Sequence, residues 1–251
     1  MKLLLTPKPE LLHAFKNEAT KKSVEVWKTS CIVTNFGKNQ QASGCTALIN
    51  PGNPELSGVS RFAYFPRGGP VPCPKPKWES SGYWGGMDAG AGMLYPSAVV
   101  DGLVHQLGGI KLALQCKSIT ALKGGCLIGT SLTTTHGEHN LTQVYEQIVH
   151  TSPPFYEHND EPDHLLRLCY QSALNLAFHD NQRKIACPLL GAGARGFPLD
   201  VAVDVAASES MKWRDSKDDI DGSSTERVLM FGLLDLKTSE NLILAIKERN
   251  Y

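Results

Sequence analysis

Ala47-Leu48-Ile49-Asn50-Pro51-Gly52-Asn53-Pro54-Glu55-Leu56 carries an apolar run into a turn made of two asparagines around Pro-Gly. The run has the character of a buried parallel strand. A strand that opens abruptly into Pro, Gly and Asn is the pattern of a ligand-binding turn at the carboxyl end of a sheet. The same residues also suit a plain tight turn in which Asn side chains cap their own backbone, so the rest of the chain has to choose between the two.

Outward from this stretch, strands and helices alternate. Upstream, Pro9–Thr20 shows weak helical amphipathicity, Val24–Trp27 and Cys31–Val33 have strand character, and a polar link leads to the strand Cys45–Ile49. Downstream, Pro96-Ser97 opens a helix predicted to run to Leu107 and to stop at Gly108-Gly109, with Asp101 and His105 on one face. Gly124–Thr130 and Gln143–His150 follow as strands, then helix Asp163–Phe178, strand Lys184–Leu190, helix Leu199–Trp213, strand Arg227–Leu234 and helix Ser239–Lys247. This alternation implies a three-layer α/β/α domain around a central mixed, mainly parallel sheet. At 251 residues we expect one domain, residues 1–251, interrupted by an insertion at 58–92. The insertion is rich in Pro and Gly, with Phe62, Tyr64, Phe65, Trp78, Tyr83 and Trp84. It is expected to be a lid-like loop over the body or a surface excursion without a role.

Composition narrows the class. Hydrophobic residues at 41% and charged residues at 20% argue against a disordered or membrane-spanning chain. Lys plus Arg and Asp plus Glu balance at 25 each, so no global field draws in nucleic acid and an anionic ligand must be held by local geometry. Seven cysteines without a Cys-x-x-Cys pair argue against a disulfide framework or structural zinc and fit a reducing compartment, the cytoplasm or nucleus. The apolar start Met1–Leu5 is too short for a signal peptide.

A second stretch, Pro188-Leu189-Leu190-Gly191-Ala192-Gly193-Ala194-Arg195-Gly196-Phe197-Pro198, lies between a strand and a helix. Its glycines allow positive φ and close approach to a ligand, and the following helix N-terminus favours an anion such as a phosphate. It is neither a Walker loop nor a clean Gly-x-Gly-x-x-Gly. His136-Gly137-Glu138-His139 has metal-type residues but no third ligand in view, so a solvated loop is expected there.

With both loops in place, the sequence resembles the macrodomain family of ADP-ribose-binding modules. Leu48–Leu56 is similar to the family's Val-Asn-Ala-Ala-Asn turn and Val100-Asp101-Gly102-Leu103-Val104-His105 to its Val-Asp-Gly-x-x-His helix start. Ile148-Val149-His150-Thr151 with Pro153 is similar to its Ile-His-x-x-Gly-Pro strand end, and Pro188–Pro198 to its phosphate loop. The resemblance implies that ADP-ribose is the ligand, alone or on a protein. Asn53 would touch the distal ribose while Asn50 secures the turn. The amides of Gly191, Ala192, Gly193, Ala194, Arg195, Gly196 and Phe197 would hold the diphosphate, with Cys31 and Ile32 beside the adenine.

The Val-Asp-Gly-x-x-His pattern resembles the branch of mono-ADP-ribosyl and O-acetyl-ADP-ribose hydrolases. It implies Asn53, Asp101 and His105 as catalytic residues, Asp101 activating or orienting a water, with no metal and no cofactor. The alternatives are a non-enzymatic ADP-ribose reader and an ADP-ribose-1″-phosphate phosphatase. A monomer without membrane or sequence-specific nucleic-acid partners is expected. Cys31 departs from the family's Asp at that position. Arg195 replaces a common aromatic or aliphatic residue, either to pair with phosphate or to point to solvent, and Phe197 packs either near the ligand or in the core.

Overall fold

The computed structural model describes residues 8–38, 40, 43–58, 99–180, 182–193, 195–217 and 226–249. The expected insertion, apart from Gly58, lies outside them.

The strands are β1 (Glu10–Asn17), β2 (Lys22–Lys28), β3 (Ala47–Pro51), β4 (Ser131–Thr135), β5 (Gln147–Thr151), β6 (Lys184–Cys187) and β7 (Arg227–Leu233), in sheet order β1-β2-β7-β6-β3-β5-β4. The five inner strands run parallel, and the edge strands β1 and β4 run antiparallel to their neighbours. The helices are α1 (Val100–Lys123), α2 (Pro162–His179), α3 (Leu199–Asp215) and α4 (Leu236–Lys247). Helices cover both faces, so the three-layer mixed sheet expected from the alternation is what forms. None of the described helices is long and apolar enough to cross a membrane.

The strand period sorts β3 between the two cores. Ala47 and Ile49 pack with α2, α3 and α4, whereas Leu48 packs with Val104, Leu112 and Cys116 of α1. Asn50, two residues after Leu48, therefore faces α1. Along β5 the same alternation puts Ile148 in the α1 core and Val149 in the other, which turns His150 toward α1 as well.

Three local expectations are corrected. Residues 10–17 form a strand, not a helix, because pairing with β2, interrupted only between Leu11 and His13, engages the backbone and buries Phe15 opposite Val24. The weak 3.6-residue pattern there cannot compete with that. Cys31–Val33 is a turn. Gly124–Thr130 is also turn, since Gly124, Gly125 and Gly129 all take positive φ and Leu127 is exposed, and the strand starts one residue later at Ser131.

Nor does α1 stop at Gly108-Gly109. Gly109 leaves helical geometry (φ 62°, ψ −157°) and the helix restarts beyond it. The restart is capped by Glu138, whose Oε1 accepts from the amides of Ile110 at 2.9 Å and Lys111 at 3.4 Å, while its own amide donates to Gly108 O at 3.0 Å. A carboxylate at a helix start satisfies orphan donors and opposes the positive end of the dipole. Glu138 of the His-Gly-Glu-His stretch thus holds a helix kink.

Candidate functional site

The carboxyl ends of the parallel strands lie along one edge of the sheet, and the loops that follow them carry the expected site residues, as the rule for open α/β sheets requires. From the end of β2, which leads to Cys31 and Ile32, to the end of β3 is three strand spacings in the sheet order, about 14 Å.

Sheet register brings Asn50 and His150 side by side, for they are partners in the parallel β3–β5 ladder. Asn50 Nδ2 donates to Asp101 Oδ1 at 2.8 Å and lies 3.1 Å from His150 Nδ1. An amide nitrogen has only protons to offer, so His150 Nδ1 accepts and Nε2 carries the ring proton. Nε2 lies 2.9 Å from Thr134 Oγ1. Burial first, and His105 second, push the His150 pKa down to about 3, so the ring is neutral.

Asp101 sits in the first turn of α1, where a carboxylate is favoured, and is only 2% exposed. Its Oδ1 is 3.5 Å from His105 Nε2, one helical turn on. The Asn turn lies directly against it: a Cβ on Gly52 would stand 3.7 Å from Asp101 Oδ1. At the turn's far end, a Cβ on Gly58 would stand 2.8 Å from the His105 ring.

The two asparagines make different bonds. Asn53 Nδ2 donates to Gly58 O at 2.9 Å, and its Oδ1 accepts from Ser57 N at 3.2 Å and Ser57 Oγ at 3.3 Å. Asn53 closes its own loop, and Asn50 is the one that touches Asp101. Local Asx bonding explains the first. The second needs the sheet register.

The glycine loop is shaped differently. Gly191 has φ 81°, and a Cβ there would meet the Phe197 ring at 2.9 Å. Phe197 is fully buried and lies 5.1 Å from the Tyr156 ring, so it supports the loop from below as a core residue. The amides of Ala192, Gly196 and Phe197 donate to Leu189 O, Gly193 O and Gly191 O within the loop. Gly193 faces open space, and Ala194 lies outside the described residues.

Arg195 does not point to solvent. It is buried, donates to Gly52 O and stacks 4.7 Å over the Phe155 ring, tying the glycine loop to the Asn turn. At the β2 end, Ile32 packs on Gly232 of β7 and its carbonyl accepts from the Tyr145 hydroxyl, while half-buried Cys31 donates its amide to Thr29 Oγ1 at 3.4 Å.

His105, Cys116 and His150 offer donor atoms within 4.8 Å of one another. Those are the residue types of a soft-metal site, but Asn50 engages the Nδ1 lone pair of His150 and Nε2 carries a proton toward Thr134. Burial, then the Asp101 charge, push the Cys116 thiol up to about 12. His150 and Cys116 are thus held neutral beside His105. His150, Thr134, Cys116 and Glu138 were not assigned from sequence. Period-2 counting puts His150 on a face, but only strand pairing says what it meets.

Comparison with known proteins bears on this arrangement. The family model described as the Macro domain matches residues 91–206. A macro domain-containing protein of Caldanaerobacter subterraneus is 35% identical over 130 residues, 51% of this chain and 69% of that one. An O-acetyl-ADP-ribose deacetylase of Pantoea vagans is 32% identical over 108 residues, 43% of this chain and 61% of that one. Among solved structures, the Oceanobacillus iheyensis macrodomain with ADP shares the fold with a TM-score of 0.63 at 17% identity, covering 94% of this chain and 96% of that one.

Proposed function

Since this chain belongs to the macro domain family, we propose that it binds ADP-ribose in the crevice at the strand ends and hydrolyses mono-ADP-ribosylated protein, or O-acetyl-ADP-ribose, at the distal ribose. The observation that carries the reading is the buried Asp101 carboxylate, hydrogen-bonded by Asn50 and opposed by His105 between the Asn turn and α1. The relative named O-acetyl-ADP-ribose deacetylase and the fold neighbour solved with ADP support the same direction. The span of about 14 Å between the ends of β2 and β3 suits a ligand with two sugars joined by a diphosphate.

In this reading Asp101 takes a proton from a water as the water's oxygen attacks C1″. The C1″–oxygen bond breaks and the acidic side chain leaves as a carboxylate, which is stable at neutral pH and needs no proton donor. His105 positions Asp101, and Arg195 holds the glycine loop against the Asn turn beside the diphosphate. The reading includes a single domain acting as a monomer in the cytoplasm or nucleus, without a cofactor, membrane or nucleic-acid partner.

The test is incubation with a protein mono-ADP-ribosylated on acidic residues and, separately, with O-acetyl-ADP-ribose. Wild type is expected to release both acids. Asp101→Ala should keep calorimetric ADP-ribose binding while turnover falls about 10²- to 10⁴-fold, the usual worth of a general base. Full retention of the label at stoichiometric protein, with binding intact, would leave a reader instead, and phosphate release from ADP-ribose-1″-phosphate would point to the phosphatase.

A further inference from the structure

We propose that His150 is a positioning residue for Asp101, acting through Asn50 in a hydrogen-bonded line that runs Thr134–His150–Asn50–Asp101. The proposal deepens the hydrolase reading and rests on Asp101 as its base. Four elements contribute one member each, β4, β5, β3 and α1, and three contacts of 2.9, 3.1 and 2.8 Å join them.

The logic is directional. A primary amide has a nitrogen and an oxygen of nearly the same size, so packing alone does not choose which of them faces Asp101. The lone pair on His150 Nδ1 and the Asp101 carboxylate fix the choice together, because each accepts from Nδ2 and would repel Oδ1. With the amide held this way, its second N–H is left for Asp101 Oδ1. If the amide turned over, Oδ1 would face the carboxylate at that same 2.8 Å and oppose its ionisation.

A hydroxyl both donates and accepts, so Thr134 does not choose the tautomer; its oxygen accepts the Nε2 proton once the Asn50 amide has claimed Nδ1. Burial supports the arrangement by keeping the ring neutral; an imidazolium would present an N–H to Nδ2. The buried Oδ1 of Asn50 has no partner among the described residues, the cost of spending both amide protons on Asp101 and His150.

Other titratable groups face this line. His105 at 3.5 Å and Cys116 approach Asp101 from α1, and both also face His150; Arg195 lies across the Gly52 peptide from the glycine-loop side. None of them hydrogen-bonds the Asn50 amide in the structure's described residues.

The experiment is nuclear magnetic resonance on the full chain labelled with ¹⁵N-histidine and ¹³C-aspartate, in wild type, Thr134→Val, Thr134→Ser and His150→Phe. In wild type the His150 nitrogens should report the neutral Nε2–H tautomer, with Nδ1 accepting, down to pH 5. His150→Phe removes the acceptor at Nδ1 and should move the Asp101 carboxyl titration to higher pH. Thr134→Val removes the acceptor of the Nε2 proton and should move it the same way by less, and Thr134→Ser should restore it, which a packing role would not require. The two Thr134 variants carry the test even if His150→Phe does not fold.

An Nδ1–H tautomer in wild type, or an Asp101 titration unmoved in Thr134→Val, overturns the proposal. These readouts need no turnover, so their failure is distinct from failure of the hydrolase reading. Where turnover is measured, Thr134→Val should lower kcat about tenfold, the scale of one net hydrogen bond, with KM held.

Discussion

The Asn turn, residues 52–58, and the glycine loop, residues 191–197, follow neighbouring parallel strands and meet through Arg195, yet they are shaped by opposite means. In the Asn turn, buried side chains do the shaping. Asn53 closes the loop on Ser57 and Gly58, and Asn50, just before it, anchors Asp101 and His150. In the glycine loop the absence of side chains does it: Gly191 takes positive φ over the Phe197 ring, and three backbone amides bond within the turn. The first loop therefore depends on polar partners far away in sequence, and the second on space.

That contrast predicts where each loop breaks. Asn50→Leu should have the largest effect, because it takes one donor from the buried Asp101 carboxylate and leaves the buried His150 Nδ1 without its donor. A lost bond to a charged group and an unsatisfied buried acceptor, at about 1–3 kcal/mol each, should cost about 4 kcal/mol, read by urea denaturation, and remove turnover. If Asn50→Leu unfolds no more easily than wild type, the polar account of this turn fails.

Gly191→Ala comes next. A Cβ in the left-handed region costs about 1–2 kcal/mol, and its 2.9 Å contact with Phe197 adds to that, for a loss of about 2–3 kcal/mol and weaker ADP-ribose binding by calorimetry.

Acid should separate the two loops. His150 has a folded pKa near 3, below its ordinary value of 6.5, so the unfolded chain binds the extra proton between these limits. Its contribution is fully present above pH 6.5 and is lost as the pH falls toward 3, about 2 kcal/mol by pH 5. Hydrogen-exchange protection, taken relative to the intrinsic rate at each pH, should fall at pH 5 in residues 52–58 before residues 191–197. The smallest effect is reserved for Gly193→Ala, where a Cβ meets nothing within 4 Å; stability should change by about 0.5 kcal/mol or less. A loss equal to that of Gly191→Ala would show that the loop needs glycine for more than space.

Much of the fold was legible along the chain. Strong periodicity marked α2, α3 and α4 to within a few residues, and apolar runs marked β3, β6 and β7. The errors share a cause. Residues 10–17 became a strand through an edge pairing with β2, and α1 continued past Gly108-Gly109 because Glu138, from a distant loop, caps the restart. Each depends on a partner that a local window does not contain. The motif residues can be picked out along the chain, but not their contacts: the sequence allows Arg195 to meet phosphate or solvent, and in the fold it bridges the two loops.

What the sequence determined by itself was the order of strands and helices from β3 onward, the places where glycine must stand, and the loops that carry polar residues at strand ends. These follow from periodicity and backbone sterics, which act over a few residues. Only the tertiary structure decided that Asn50, not Asn53, meets Asp101, and that His150 stands behind it. Those hydrogen bonds join residues 51 and 100 positions apart. Hydrogen bonds form only within about 3 Å, and sheet register together with the packing of α1 on β3 sets those distances.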